Sequence, residues 1–298
     1  MPGPNLTHMT AIDEVLRPGG PGRVLSLSPS RASDFMSCPL LYRFRAIDRL
    51  PEKPSSAATR GTLVHTVLER LFELPASQRS PEQAAALVEP AWAELLDSEP
   101  EVADLFADSR ELLDWLGSAR ELVAAYFSLE DPTRLEPAAR EQLIETTLPS
   151  GLRLRGFVDR LDEASTGALR IVDYKTGRAP DPMFEARALF QMKFYALVIW
   201  RTRGVVPAVL QLMYLGDREV LRYSPDEVEL LATERKLEAL WAAIGRSIEK
   251  GEFRASPSRL CDWCDHQALC PAWGGTAPPM PALAEQRVEE EPAVAVDV

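Results

Sequence analysis

The chain has 298 residues, 46% hydrophobic and 26% charged, with a formal net charge of −12. That size and balance fit a soluble globular protein of one large domain or two small ones. No apolar run reaches the length of a membrane span, and the opening MPGPNLTHMTAIDEVL lacks the basic-then-apolar layout of a signal peptide, so no membrane partner and a cytoplasmic location are expected. Overall acidity argues against a nucleic-acid partner, but the charge is uneven. Residues 23–49 hold Arg23, Arg31, Arg43, Arg45 and Arg49 against Asp34 and Asp48, while acids crowd 94–114 and the tail from Glu285.

Residues 1–24 are rich in Pro and Gly and read as a flexible segment; 275–298 read as a disordered acidic tail. GTLVHTVLERLFEL sets Leu63, Val64, Val67, Leu68, Leu71 and Phe72 on one helical face. Ser80, Pro81 and Gln83 read as an N-cap, a first-turn proline and a capping-box partner, followed by two or three amphipathic helices to about 128. QLIETTLP and LRLRGFVDRLD, split by Ser150-Gly151, read as a β-hairpin, with LRIVDY as a third strand. Asp181-Pro182 opens a helix to about Arg203. AVLQLMYL (208–215) and EVLRY (219–223) are two further strands, and Ser224, Pro225 and Glu227 open a long helix to about Gly251. The pattern predicts a mixed α/β domain over 25–274, with a helical insertion at about 75–138.

Of only five lysines against twenty-eight arginines, Lys175 closes a hydrophobic strand two residues after Asp173. Residues two apart on a strand share a face, and Asp159 falls on the neighbouring strand. Two carboxylates from adjacent strands suit a hard divalent cation such as Mg²⁺ or Mn²⁺, and a lysine alongside can stabilise charge on a phosphate. The competing reading is that Asp159–Arg160 and Asp173–Lys175 are solvated strand-end charges. His65 sits at the edge of its helix's apolar face, in line with Glu69; it is either half-buried core or a metal ligand. Gln191 and Tyr195, one turn apart, form either a surface polar pair or a ridge toward a nucleic-acid backbone. Glu145, on the preceding strand, is a further candidate to face the site.

In this order, Gly61-x-x-x-His65, Gly156-x-x-Asp159-Arg160-x-Asp162, Asp173-Tyr174-Lys175-Thr176-Gly177 and Gln191-x-x-x-Tyr195 resemble the RecB-type PD-(D/E)XK nucleases, a family that includes the RecB and AddB nuclease domains and the CRISPR-associated adaptation exonucleases. The resemblance implies a restriction-endonuclease-like α/β fold, a mixed central sheet flanked by helices. It implies that His65, Asp159, Asp173 and the Tyr174 carbonyl bind the metal and that Lys175 is the catalytic lysine. Gln191 and Tyr195 would orient it and contact the strand, with Asp162 a strand-end or supporting acid. SLSPSRASDFMSCP is similar to the family's N-terminal segment, which gives Ser30 and Arg31 a phosphate-contacting role; Ser30 as a helix cap is the other reading. Phe35, Tyr42 and Phe44, interleaved with Arg31, Arg43 and Arg45, read either as a stacking groove for a single strand or as a packed helix with a basic outer face.

Cys261, Cys264 and Cys270 fall within ten residues, and Cys38 lies far upstream. Cys-x2-Cys grips one metal from a tight turn, and a reducing cytosol disfavours disulfides. The one-plus-three layout is similar to the iron–sulfur variety of the same nucleases, which implies a [4Fe–4S] cluster on a segment at 256–274, with structural Zn²⁺ as the alternative; His266 is expected at the surface. The function implied is a metal-dependent DNA exonuclease. Its rivals are a non-catalytic module that holds DNA ends, and a phosphodiesterase acting on RNA or small nucleotides. No Gly-x-x-x-x-Gly-Lys-[Ser/Thr] phosphate loop is present, so a helicase partner would be a separate protein.

Overall fold

Strand propensity and turn chemistry assemble the chain around a five-stranded sheet. The computed structural model describes residues 26–180 and 185–281. The expectations for 1–24, for most of the tail and for the helix opening at Asp181 lie outside these residues. The strands are β1 (Ala139–Thr147), β2 (Arg153–Glu163), β3 (Leu169–Lys175), β4 (Val209–Tyr214) and β5 (Glu219–Tyr223), paired in the order β1-β2-β3-β4-β5. Among the five strands only β3 and β4 pair in parallel, and the crossover between them carries a helix, as parallel neighbours require. The β1–β2 hairpin is symmetric about Ser150. Its turn closes with the Leu148 N–H on the Leu152 carbonyl at 2.9 Å, and Gly151 takes the positive φ of 86° that the turn demands.

The helices are α1 (Pro29–Ser37), α2 (Ser56–Leu71), α3 (Pro81–Ala86), α4 (Val88–Ser98), α5 (Ser109–Leu129), α6 (Glu185–Arg203) and α7 (Glu227–Lys250). Among the described residues no helix is long and apolar enough to cross a membrane. Ser80 caps α3 by accepting from the Gln83 backbone N–H. For α7 the capping oxygen is Asp226 Oδ1, 2.8 Å from the Glu229 N–H, rather than Ser224. A carboxylate three residues ahead of that N–H fits the geometry; Ser224 is two residues too early.

Two compact units are formed. The larger comprises residues 27–33 and 52–241, and the smaller contains Ser26, 34–51 and 242–281 among the described residues. In the larger unit the expected face of α2 is buried throughout: Leu63, Val64, Val67, Leu68 and Leu71 share one core with Trp92, Trp115 and Tyr126 of the insertion and with Val172, Tyr174 and Met213 of the sheet. The rings of Trp92 and Trp115 meet edge-on at 5.2 Å. The insertion therefore covers one face of the sheet.

In the smaller unit a short helical turn, Pro39–Tyr42, runs into π-helical Arg43–Ile47. Phe35, Tyr42 and Phe44 are core, not a stacking groove. Phe35 meets Tyr42 edge-on at 5.4 Å, and Tyr42 stacks with Phe253. Of the interleaved arginines, Arg43 is buried against Asp48 at 3.0 Å and also donates to the Pro278 carbonyl, while Arg45 bonds Asp34 at 2.8 Å. The aromatics turn inward because burying such rings stabilises the fold more than solvent exposure would.

Because Trp115 belongs to the same core as the sheet, Trp115→Ala should cost about 3–5 kcal/mol in urea denaturation, lost from one transition seen by both far-ultraviolet circular dichroism and tryptophan fluorescence. A sheet transition untouched by the substitution would make the insertion an appendage.

Candidate active site

In the β2–β3 ladder Arg160 pairs with Val172, so one step on Asp159 lies across from Asp173. Both are buried, with Asp173 only 1% and Asp159 9% exposed. They are not solvated strand ends. Burial, followed by the charge of Asp173, pushes the Asp159 carboxyl up to about 7. Lys175 shares the Asp173 face of β3, and its Nζ lies 2.6 Å from Asp173 Oδ2. Gln191, from α6, links the group: its Oε1 accepts from Lys175 Nζ, and its Nε2 donates to Asp173 Oδ1 and to the Tyr195 hydroxyl, each at 3.0 Å. Gln191 and Tyr195 are thus a partly buried brace rather than an exposed pair, and burial raises the Tyr195 phenol.

α2 delivers His65 from the other side. Its Nε2 donates to the Tyr174 carbonyl at 2.9 Å, and its Nδ1 lies 3.5 Å from Asp159 Oδ2 and 3.6 Å from Glu141 Oε1. Burial alone would lower this imidazole, but the neighbouring Glu141 carboxylate and the charges of Asp159 and Asp173 outweigh it and raise it to about 9. The Tyr174 N–H donates to Asp159 Oδ2 at 2.7 Å and so restrains that carboxylate. Among the described residues, His65, Glu141 and Asp159 bring ligand atoms within 4.8 Å of one another, close enough to hold one ion.

Glu141 is a site acid the sequence reading passed over. It takes φ 39°, unusual for a side-chain-bearing residue, where the β1–β2 ladder skips the pair with Asp159. At the same point the β2 alternation breaks. Leu154, Gly156 and Val158 are buried between exposed Arg155 and Phe157, after which Asp159, Arg160 and Leu161 are all buried. Glu145 instead forms an ion pair with Arg153 at 2.7 Å. Asp162 faces away from the site and pairs with Arg160 and Arg170. Glu69 stands a turn beyond His65, its carboxyl raised by burial and then by Glu141 and Glu73.

Ser28, not Ser30, caps α1, accepting from the Arg31 N–H at 3.2 Å; the Ser30 hydroxyl meets Ser28 at 2.9 Å. Leu27 bridges to the start of β2 through hydrogen bonds with Arg153 and Arg155, which sets Pro29 beside Gly156.

The four cysteines lie in the smaller unit. None forms a disulfide, and all four line one cavity with Leu40, Phe44 and His266. The Ser256 N–H points to Cys38 Sγ at 3.4 Å and the Ser258 N–H to Cys261 Sγ at 3.3 Å. Burial, then the neighbouring Cys261 and Cys38, raises the Cys264 thiol. His266 is buried edge-on against Phe44 at 5.4 Å, not at the surface. A short loop folded over a cavity places a ring in its wall.

The glycine of the second motif has a steric reason. A Cβ on Gly156 would lie 2.7 Å from Cε1 of Tyr195, whereas one on Gly61 would make ordinary contact at 3.7 Å with Thr176. Gly156→Ala should therefore destabilise the fold by about 1–3 kcal/mol. Calorimetry should show the loss relieved in the Gly156→Ala/Tyr195→Leu double variant, whereas Gly61→Ala should melt near the parent.

A family model described as the PD-(D/E)XK nuclease superfamily matches residues 26–271. The Gene 69 protein of Mycobacterium phage L5 is 22% identical over 286 residues, covering 83% of this chain and 96% of that one. One of the subunits of the ATP-dependent helicase/deoxyribonuclease of Streptococcus mutans is 27% identical over 160 residues, 52% of this chain but 14% of that protein. A Eubacterium rectale protein provisionally named an exonuclease has a crystal structure that superposes with a TM-score of 0.55 at 15% identity, covering 89% of this chain and 93% of that one, a likeness of fold. With its sheet, its facing acids and a family match running from Ser26 to Pro271, the chain belongs to the PD-(D/E)XK nuclease superfamily.

Proposed function

We propose that the chain is a RecB-type, metal-dependent deoxyribonuclease, an exonuclease hydrolysing phosphodiester bonds in single-stranded DNA or at duplex ends, acting in the cytoplasm in repair or recombination. The observation that carries this reading is the buried pair Asp159 and Asp173 on adjacent strands, with Lys175 Nζ 2.6 Å from Asp173. The donor set fits a hard divalent ion, since oxygen and imidazole ligands converge where excess negative charge is buried. His65, Asp159, Asp173 and the Tyr174 carbonyl would hold Mg²⁺ or Mn²⁺, with Glu141 adding an oxygen. Bound there, the ion would polarise the phosphate and lower the pKa of a coordinated water. Lys175, braced by Asp173 and Gln191, is placed to stabilise negative charge on the phosphoryl oxygens. Tyr195 and Gln191, with Ser30 and Arg31, would contact the substrate backbone. The name of the streptococcal relative supports DNA as substrate and a helicase as partner.

For the smaller unit we infer a [4Fe–4S] cluster on Cys38, Cys261, Cys264 and Cys270, with structural Zn²⁺ as the alternative. The support is four free thiols on one cavity, two of them already facing backbone N–H donors.

Incubation with end-labelled single-stranded DNA and Mn²⁺ tests the nuclease reading. The wild type should release nucleotides, and Lys175→Ala should be slower by at least about 100-fold. Retention of labelled ends without cleavage by the wild type would instead support the non-catalytic module. Metal analysis tests the second site: iron with acid-labile sulfide should be present and should be lost in Cys264→Ala but kept in Lys175→Ala. Zinc in their place would decide for the alternative.

A further inference from the structure

The largest fully buried side chain among the described residues is a cation, Arg160. It lies on the face of β2 opposite Asp159, and one of the groups it holds, Tyr174, reaches the acid cluster. Its Nη2 meets Glu130 Oε2 at 2.6 Å and its Nε meets Asp162 Oδ1 at 3.0 Å. Nη1 donates to the Tyr174 hydroxyl at 2.8 Å and to the Tyr126 hydroxyl at 3.3 Å, and the guanidinium lies 5.1 Å from the Phe72 ring centre. A buried ion network adds little net stability over an apolar set of equal volume. What it does supply is direction, because a planar fork donates to its partners in fixed directions.

Tyr174 runs from this network to the site. Its hydroxyl is tied to Arg160, its N–H holds Asp159 at 2.7 Å, and its carbonyl faces His65 at 2.9 Å. We propose that Arg160 is a positioning residue: by anchoring the Tyr174 hydroxyl it sets where the Tyr174 backbone stands, and so fixes the Asp159 carboxylate and the carbonyl beside it. The inference rests on the reading of that cluster as a divalent-metal centre. Groups that orient ligands in this way typically contribute about 10–100-fold to metal affinity.

Titration calorimetry of the full-length chain with Mn²⁺ alone tests this. Tyr174→Phe removes one hydroxyl and keeps the ring, whereas Tyr126→Phe removes an equivalent hydroxyl from the same guanidinium without touching the site. Tyr174→Phe should weaken Mn²⁺ binding by about ten-fold or more, and Tyr126→Phe should bind like wild type. Arg160→Met should reproduce the Tyr174→Phe shift, with no further loss in the double variant; if Arg160→Met does not fold, the contrast between the two phenylalanine variants decides alone. Equal shifts in both phenylalanine variants, or none in Tyr174→Phe, would overturn the proposal. Wild-type protein that binds no Mn²⁺, or Asp159→Asn that binds it as well as wild type, would remove the metal centre itself and the inference with it.

Discussion

Two carboxylates facing each other across an antiparallel ladder, almost out of reach of water, set the terms for the larger unit. Like charges in such a place repel strongly, and each loses hydration. The fold answers with basic groups from two directions. Lys175 comes along the same strand as Asp173, and the His65 imidazole reaches Asp159 from α2. Backbone and amide donors do the rest, through the Tyr174 N–H and the Gln191 side chain. Remove the acids and these neighbours have little reason to converge.

Packing makes the arrangement rigid. α2 carries His65 on the edge of a face that is otherwise sealed into the core with Trp92, Trp115 and Tyr126. The helical insertion, longer than a minimal sheet domain needs, closes the side of the sheet on which Tyr174 and Arg160 lie. α6 carries Gln191 and Tyr195, and the close approach of Tyr195 to the backbone at Gly156 leaves no room for a side chain there.

Much of this is legible in the sequence because the signals are local. Turn residues bound all five strands, and the apolar face of α2 is written at helical spacing. Asp173 and Lys175 share a face by simple alternation. Glu141 escapes sequence reasoning although a signal exists: alternation gives it the same parity as Glu145, and a hairpin turning at Ser150 sets it, not Glu145, across from Asp159. Burial alternation also breaks in β2 at Asp159, because both faces of the strand are covered there. The segment from Phe35 to Arg45 misleads differently. Interleaved rings and arginines specify an amphipathic element but not which side faces in, and only tertiary packing decides that. The caps are Ser28 and Asp226 rather than Ser30 and Ser224, because a cap is chosen by the N–H groups it can reach.

Glu141 carries an internal conflict. A side-chain-bearing residue held at φ 39° stores on the order of 1–3 kcal/mol that glycine would release. Glycine would also delete an oxygen donor from beside His65 and Asp159. At this one position robustness of the fold and charge at the site pull in opposite directions, so variants chosen only for heat tolerance would drift toward losing the acid. If the cluster is the metal centre proposed above, the broken rung in the hairpin is where the molecule gives up stability for chemistry.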